Sequence, residues 1–306
     1  MPGNIIKVKN FTKKYGDLAA VDDISFSVQE GAVFAFLGPN GAGKSTTINT
    51  LCTIQSKTGG ELYINGHDVD KQKSLVRKDI GIVFQETTLD AKLTVEQNLR
   101  FHCRFYGVPQ NEVNERIRFA LDLVDLTEWR KAPVGSLSGG MKRRVEIARG
   151  LIHYPRVLFL DEPTAGLDPQ TRASVWDYVK KLQVQKNITI FLTTHYMDEA
   201  EICSSVAIID HGKIVAFDTP DNLKSRYATA SLRIKTDREG DLSEYLGNRK
   251  IRFEPVDGYI HAFIKEPGQS LDILTKFRES IKDFEVSKGS LNDVFLAVTG
   301  REIRVS

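Results

Sequence analysis

A glycine-rich loop near residue 40 has the residue types and the spacing of a phosphate-binding site. Its sequence, GPNGAGKST, matches the pattern GxxxxGK[ST]; the apolar run AVFAFLG before it predicts a buried strand, and helix-like sequence follows from Lys44. In such a loop, backbone N–H groups and the helix N-terminus converge on phosphate oxygens, the lysine reaches the β and γ phosphates, and the serine can ligate Mg²⁺. We therefore predict nucleotide binding by Gly38, Pro39, Asn40, Gly41, Ala42, Gly43, Lys44, Ser45 and Thr46.

Two adjacent carboxylates follow a second apolar run. The sequence VLFLD ends in Asp161, and Glu162 comes directly after it. A phosphate-binding loop needs an acid at the end of a neighbouring strand to hold the Mg²⁺ shell, which is the role expected of Asp161 beside Ser45. Glu162 is placed to polarise an attacking water as general base. Asp161 and Glu162 would otherwise be interpreted as the polar end of a strand, and the presence of the phosphate-binding loop makes that interpretation improbable.

The elements that must position these groups indicate an α/β core. Residues 5–28 alternate apolar and polar side chains in two runs around Gly16 and Asp17, which predicts antiparallel strands. The runs VLFLD, TIFLTT and SVAIID are separated by helical stretches, as in a parallel sheet. Residues 93–126 have helical periodicity with a break at 107–109, and another helix is expected from Val145.

After Tyr227 the pattern changes to short strand-like and helix-like runs. A strand-like run, a helix-like run, a hairpin pair around Asp257 and Gly258, and a second helix-like run precede a final strand. This order predicts a small β-α-β-β-α-β unit. We expect a second domain at 230–306.

Bulk composition excludes several function classes. The 306 residues are 41% hydrophobic, with 42 basic and 40 acidic side chains and a net charge of +2, so no basic footprint indicates nucleic acid. The three cysteines form no CxxC pair, which speaks against a zinc or disulfide framework. Apolar stretches such as 32–37 are far shorter than the ~20 residues that cross a bilayer, and the start MPGNIIKVKN does not resemble a signal peptide.

The segment Leu137-Ser138-Gly139-Gly140-Met141, 23 positions before Asp161, resembles the signature motif of ATP-binding cassette (ABC) ATPases. The resemblance implies that Ser138, Gly139 and Gly140 contact the γ phosphate of ATP held by a second copy, so that two chains sandwich two nucleotides. Met141 takes a position that is usually glutamine in this family, and the contacts expected there are those of the backbone. A basic helix face near the nucleotide is one interpretation of Met141, Lys142, Arg143 and Arg144, and a solvated helix face is the interpretation we favour.

Other positions also match this family. The resemblance implies that Tyr15 stacks on adenine, that Gln85 touches Mg²⁺ and senses the γ phosphate, and that Asp168 contacts the second copy. It also implies that His195 is the switch histidine, which makes Glu162 and His195 the expected catalytic residues. It covers about residues 3–228 and implies a P-loop (RecA-like) ATPase core with an antiparallel β subdomain and a helical insert. The expected nucleotide-binding domain is 1–229, with a helical subdomain at about 87–150, and 230–306 is an accessory α+β domain.

The segments 87–107, 194–201 and 289–303 look like those of the drug-export branch, the daunorubicin-resistance type ATPases. That likeness implies an ATP-dependent homodimer that powers export of a drug or other hydrophobic compound through separate transmembrane subunits. The cofactors implied are ATP and Mg²⁺, and the implied location is cytoplasmic, on the inner face of the cell membrane. In this family the segment after Gln85 receives a helix of the membrane subunit, so 86–104 is the expected docking surface.

Two alternatives remain from other classes. An ABC ATPase acting on chromosomes, nucleic acid or ribosomes is disfavoured, since Lys44 and Ser138 are only 94 positions apart, the chain has one cassette, and its charge is near neutral. A P-loop kinase or GTPase is weaker, because no guanine-specifying motif is evident.

Overall fold

The computed structural model describes residues 3–228, 230–264, 267–287 and 289–300. These residues divide into two units, one running to Asp218 and the other starting at Thr219. The expected boundary at 229/230 lies further along the chain. The difference arises because the helix at 220–227 packs against the last described helix and so belongs with the second unit.

The first unit contains ten strands and seven α-helices among its described residues. In chain order these are β1 (Asn4–Tyr15), β2 (Leu18–Gln29), β3 (Val33–Leu37), α1 (Lys44–Leu51), β4 (Gly59–Ile64), β5 (His67–Asp68), α2 (Lys73–Asp79), β6 (Ile80–Val83), α3 (Val95–Phe105), α4 (Val113–Leu123), α5 (Gly139–Leu151), β7 (Val157–Asp161), α6 (Pro169–Lys186), β8 (Thr189–Thr194), α7 (Met197–Glu201), β9 (Ser205–Asp210) and β10 (Lys213–Asp218).

An antiparallel sheet in the order β2-β1-β4-β5 forms one layer. The predicted hairpin is confirmed: β1 pairs with β2 in antiparallel register, and Tyr15 lies opposite Leu18 at the turn. Alternating apolar side chains of β1 and β2, including Ile6, Val8 and Phe26, are buried against the core. The pairing of β4 with β1, and of β5 with β4, was not predicted.

The central sheet has six strands in the order β10-β9-β3-β8-β7-β6, parallel except for the edge strand β10. The three apolar runs predicted as strands are β7, β8 and β9. Every residue of β3, β7 and β8 is buried, as continuous apolar runs require when both faces of a sheet are covered. Since these strands are parallel, the loops at their carboxyl ends share one edge of the sheet.

Phenylalanine rings join the two sheets. Phe26 of β2 stacks on Phe34 of β3 with ring centroids 5.4 Å apart and planes 10° apart. Phe34 in turn lies 4.9 Å from Phe191 of β8. Offset aromatic pairs at this spacing contribute attraction beyond the area they bury, so the antiparallel layer is held firmly to the core sheet.

The predicted helical segment is present as α3, α4 and α5, which pack on one another. The break at 107–109 separates α3 from α4, as expected. The expected start of the third helix at Val145 is wrong, because α5 begins at Gly139 with Ser138 as its N-cap: the Ser138 hydroxyl accepts the N–H of Met141 at 3.2 Å.

The second unit contains four strands and four helices among its described residues. They are α8 (Pro220–Tyr227), β11 (Ala230–Thr236), α9 (Glu239–Asn248), β12 (Phe253–Val256), β13 (Tyr259–Ile264), α10 (Pro267–Phe277), β14 (Ile281–Ser287) and α11 (Leu291–Thr299).

The β-α-β-β-α-β order predicted for this unit is confirmed by β11 to β14, which form an antiparallel sheet in the order β12-β13-β11-β14. Leu232, Ile234, Leu242 and Leu246 are buried in its own hydrophobic core. The helix α11 was predicted as part of the last strand region. Residues 301–303 of the tail that resembles the export branch lie outside the described residues.

Within the described part of the chain, no helix has the length and apolar character needed to cross a bilayer.

Candidate functional site

The glycine-rich loop connects β3 to α1 at the carboxyl edge of the central sheet. Gly43 has φ +108, and a Cβ there would lie 2.6 Å from the Ala20 carbonyl oxygen, so only glycine fits. A Cβ on Gly38 would meet the Ile209 carbonyl oxygen at 2.3 Å. The first turn of α1 presents N–H groups without intrahelical partners towards this loop. The backbone is thus shaped to accept an anion.

Lys44 folds back over the loop. Its Nζ donates to the carbonyls of Gly38 at 2.8 Å and Pro39 at 3.1 Å, and lies 3.1 Å from Glu162 Oε1. An ammonium has three donors, and two of them are used by these loop carbonyls. Only 4% of the Lys44 side chain and 8% of the Glu162 side chain are exposed. The loop lysine and the predicted general base therefore form a buried ion pair.

Ser45 and Asp161 meet where Mg²⁺ was predicted. Ser45 Oγ is 3.4 Å from Asp161 Oδ1, which also accepts a hydrogen bond from the Thr193 hydroxyl at 2.5 Å. Hydroxyl and carboxylate oxygens are hard donors, and Mg²⁺ at nucleotide sites takes one or two carboxylates together with phosphate oxygens. This donor set fits Mg²⁺. Across residues 3–300, apart from 229, 265, 266 and 288, no group of three or more His, Cys, Asp or Glu could hold a metal.

Glu162 is the centre of the predicted catalytic cluster. Gln85 Nε2 donates to Glu162 Oε2 at 3.4 Å, and His195 Nδ1 lies 3.3 Å from the same oxygen without the alignment of a hydrogen bond. The Glu162 backbone has φ +45, a left-handed conformation that is uncommon outside glycine, and its N–H is held by the Thr193 hydroxyl at 3.0 Å. The structure thus brings together Lys44, Gln85, Glu162 and His195.

The signature residues belong to a second cluster. Ser138 and Gly139 are exposed at the N-terminus of α5. A Cβ on Gly140 would meet Thr171 Cγ2 at 2.4 Å, and Asp168 accepts both the N–H and the hydroxyl of Thr171 as the N-cap of α6. These hydrogen bonds lower the pKa of Asp168. The signature loop and the predicted dimer-contact loop are therefore neighbours.

Tyr15 lies at the end of β1 with 46% of its surface exposed. Its hydroxyl donates to Gln55 Oε1 at 2.5 Å, and Lys13 Nζ lies 4.9 Å from the ring centroid. The predicted adenine-stacking ring is thus accessible, with its contacts to Gln55 and Lys13.

Arg143 was expected on a solvated face, and this expectation is wrong. The residue is 6% exposed, and its guanidinium donates to the carbonyls of Phe84, Asp161, Glu162 and Pro163 and to the Glu146 carboxylate. Burial lowers the pKa of Arg143, while Glu146 opposes that shift. The sequence signal is an arginine and a glutamate at i and i+3, flanked by the apolar residues Val145, Ile147 and Ala148.

The predicted docking segment 86–104 contains most of α3. Thr94 caps this helix in a capping box with Gln97. Phe101, at 68% exposed, and Phe105, just beyond the segment at 75% exposed, present aromatic rings on the surface of α3. Large exposed rings at neighbouring turns are typical of protein contact surfaces.

A sequence profile described as "ABC transporter" matches residues 21–165. The chain is 36% identical over 310 residues to the daunorubicin/doxorubicin resistance ATP-binding protein DrrA of Streptomyces peucetius, covering 98% of this chain and 93% of that protein. It is 41% identical over 228 residues to the probable multidrug ABC transporter ATP-binding protein YbhF of Escherichia coli K12. That match covers 74% of this chain, which spans only 39% of the length of YbhF.

Solved structures agree with the sequence relatives. The ATP-binding cassette MJ0796, determined as a dimer in a post-hydrolysis state bound to ADP and Pi, superposes with a TM-score of 0.63 at 28% identity, over 70% of this chain and 98% of that one. The P-loop ATPase fold expected from the sequence is thereby confirmed. With a buried phosphate-loop lysine, paired strand-end carboxylates and full-length relatives of this kind, the chain belongs to the ABC transporter ATP-binding family.

Proposed function

We propose that this chain is the ATP-hydrolysing subunit of an exporter. The observation that carries this proposal is the convergence of Lys44, Gln85, Glu162 and His195 at the carboxyl edge of one parallel sheet, where ligands bind in open α/β folds. Each of these side chains follows a different strand. Their meeting provides a cation for phosphate and a carboxylate for water in one place.

The chain's residues divide the work of hydrolysis. The γ phosphate displaces Glu162 from Lys44, because a phosphate is the stronger partner for the ammonium in this buried site. The freed carboxylate then accepts the proton of the attacking water. His195 and Gln85, both beside Glu162 Oε2, hold that carboxylate and the water in line. Mg²⁺ bound with Ser45 and Asp161 would neutralise charge on the phosphates.

Two copies are proposed to act head-to-tail. The exposed N-terminus of α5 carries unpaired N–H groups and a partial positive charge, so Ser138 and Gly139 of one copy suit the γ phosphate bound by the other. Asp168 lies next to this loop and is exposed, as a residue that contacts the second copy would be. The dimeric state of MJ0796 supports this arrangement.

The proposed function requires transmembrane partners. Separate transmembrane subunits dock on the 86–104 segment and adjoining Phe105, and the chain works at the cytoplasmic face of the membrane. The cargo class is a drug or another hydrophobic compound, which is supported by the drug-resistance and multidrug relatives. No nucleic acid partner is proposed, since 42 basic side chains are balanced by 40 acidic ones.

The test uses Glu162→Gln as bait. The variant is purified with ATP from detergent-solubilised membranes of the native host, with Glu128→Gln, an exposed site outside the catalytic cluster, as the matched control. We expect the Glu162→Gln protein alone to retain ATP in a stable dimer and to recover a polytopic membrane protein in near-equal amount. Recovery of only soluble or nucleic-acid-bound partners, or ATP turnover stimulated by RNA or DNA, would contradict the proposal.

A further inference from the structure

The buried guanidinium of Arg143 is saturated by protein acceptors. Nε donates to the Pro163 carbonyl at 2.7 Å, Nη2 to the carbonyls of Asp161 and Glu162 at 3.2 Å each, and Nη1 to the Phe84 carbonyl and to Glu146 at 3.1 Å. A guanidinium has five N–H donors, and all five are used here. Four of the acceptors are main-chain carbonyls on two loops that are far apart in sequence.

Two other residues of α5 form hydrogen bonds with Thr88, three positions after Gln85. Glu146 Oε1 accepts the backbone N–H of Thr88 at 2.9 Å, while Arg149 donates to the Thr88 carbonyl at 3.0 Å and to its hydroxyl. Both hydrogen-bonding groups of the Thr88 backbone are thus bound to one helix. Since Arg143 holds Phe84 and Glu146 holds Thr88, the four-residue step that contains Gln85 is fixed at both ends.

Glu162 is fixed in a similar way. Its carbonyl is bound by Arg143 and its N–H by the Thr193 hydroxyl at 3.0 Å. One side chain therefore ties down the backbone on both sides of the Gln85–Glu162 contact, which spans 3.4 Å. Displacement of either loop would change the position of the Glu162 carboxylate.

We propose that Arg143 and Glu146 are positioning residues for ATP hydrolysis, which join the Gln85 loop to the Glu162 turn and set the distance between these two side chains. The inference rests on the proposed ATPase function of the chain. It also explains how the docking segment is connected to the chemistry: Thr88, in that segment, is one hydrogen bond from Glu146, which is one from Arg143, which is one from the Glu162 carbonyl.

If Arg143 and Glu146 served only the stability of the fold, replacing both of them would not slow ATP hydrolysis in the folded protein. Replacing a buried ion pair with apolar groups of similar volume is often neutral for folding, because the desolvation cost of the charges disappears with their attraction. The double variant Arg143→Met with Glu146→Met therefore removes the positioning bonds while keeping the volume filled. Misplacement of catalytic groups by about 1 Å costs on the order of 100-fold in rate.

The experiment compares turnover with nucleotide binding and thermal unfolding. The variants are the Met/Met double variant, Arg143→Lys and, as matched control, Arg144→Met on the same helix, whose guanidinium bonds only Val124 and Tyr178. We expect kcat to fall ~100-fold in the double variant and ~10-fold in Arg143→Lys, since an ammonium serves at most three of the five acceptors. ATP affinity should stay within about threefold of wild type, and Arg144→Met should retain most of the wild-type kcat.

A double-mutant cycle identifies the route of the effect. If Arg143 acts by placing Gln85, then Arg143→Lys costs much less in a Gln85→Ala background than in the wild type. Additive losses, or a kcat of Arg143→Lys equal to that of Arg144→Met, would overturn the inference. The Lys variant keeps the charge opposite Glu146, so it decides the matter should the double variant not fold. Absence of ATP turnover in the wild type would instead refute the proposed function.

Discussion

Replacing Glu162 with glutamine changes the shape of the site little and removes one negative charge 3.1 Å from the Lys44 ammonium. Turnover is expected to fall by about 10²–10⁴, the contribution of a general base. The same substitution should strengthen ATP binding. In the wild type, ATP must break the Lys44–Glu162 pair before its phosphates reach the lysine, whereas in the variant the lysine has no anionic partner to lose.

The size of the affinity gain follows from the distance and burial of the pair. At an effective dielectric constant of about 20, charges 3.1 Å apart attract by about 5 kcal/mol before desolvation is subtracted. An unpaired buried lysine destabilises the nucleotide-free protein, by ~3 kcal/mol when a buried pair is broken outright. If half of this is relieved when phosphate binds, ATP affinity rises about tenfold.

Three measurements check this reasoning. Calorimetric titration with ATP and Mg²⁺ gives the affinity, phosphate release gives the turnover, and thermal unfolding with and without ATP gives the stability. We expect the variant to unfold at a lower temperature than Glu128→Gln without ATP and to recover with it. ATP binding weaker than in the wild type would refute the ion-pair argument, and turnover within threefold of wild type would remove Glu162 as the base.

Three further predictions test other parts of the molecule. Arg130, and then Arg100, hydrogen-bond Glu96 and lower its pKa from 4.5 to about 2; its contribution is therefore present above pH 4.5 and lost as pH falls towards 2. Urea unfolding should show Glu96→Gln less stable than wild type by ~1 kcal/mol at pH 7, with a gap that shrinks at pH 3. Gly43→Ala, at φ +108 and 2.6 Å from a carbonyl oxygen, should lose at least ~1 kcal/mol and bind ATP poorly in the same titration, and an unchanged unfolding midpoint would contradict the loop geometry. Phe105→Asp should leave the unfolding temperature unchanged because the ring is 75% exposed, yet reduce the membrane protein recovered with the Glu162→Gln bait; equal recovery would exclude Phe105 from docking.

Much of the fold was accessible from the sequence because its signals are local. Continuous apolar runs predicted β7, β8 and β9, and alternation predicted the β1–β2 hairpin. The start of α5 was missed because Gly139 and Gly140 have low helix propensity, which the Ser138 cap and tertiary packing override. The expected boundary at 229/230 differs from the observed start of the second unit at Thr219. The reason is that α8 packs against α11, and these segments are distant in sequence.

In the site, too, the sequence motifs identified residues, whereas contacts between residues distant in sequence required the structure. The motifs and their spacing predicted that the glycine-rich loop, Asp161 and Glu162 belong to one nucleotide site. Motifs carry no distances, so the Lys44–Glu162 pair became visible only in three dimensions. Arg143 was misjudged because a charged residue on a helix is usually solvated, and its acceptors are main-chain carbonyls, which leave no trace in the identity of the residues that supply them.

The backbone at Glu162 has a consequence for how this protein can be altered. Its φ of +45 costs a glutamate ~1 kcal/mol or more and costs glycine almost nothing. Glu162→Gly therefore relieves backbone strain, but it leaves the Lys44 ammonium without its anionic partner and removes the group proposed to activate water. Because breaking the buried pair costs ~3 kcal/mol and the backbone strain only ~1 kcal/mol, selection for heat resistance in the nucleotide-free protein would retain a carboxylate at position 162. A library of this chain screened for thermostability without ATP would therefore keep a carboxylate at this position even if turnover were never measured.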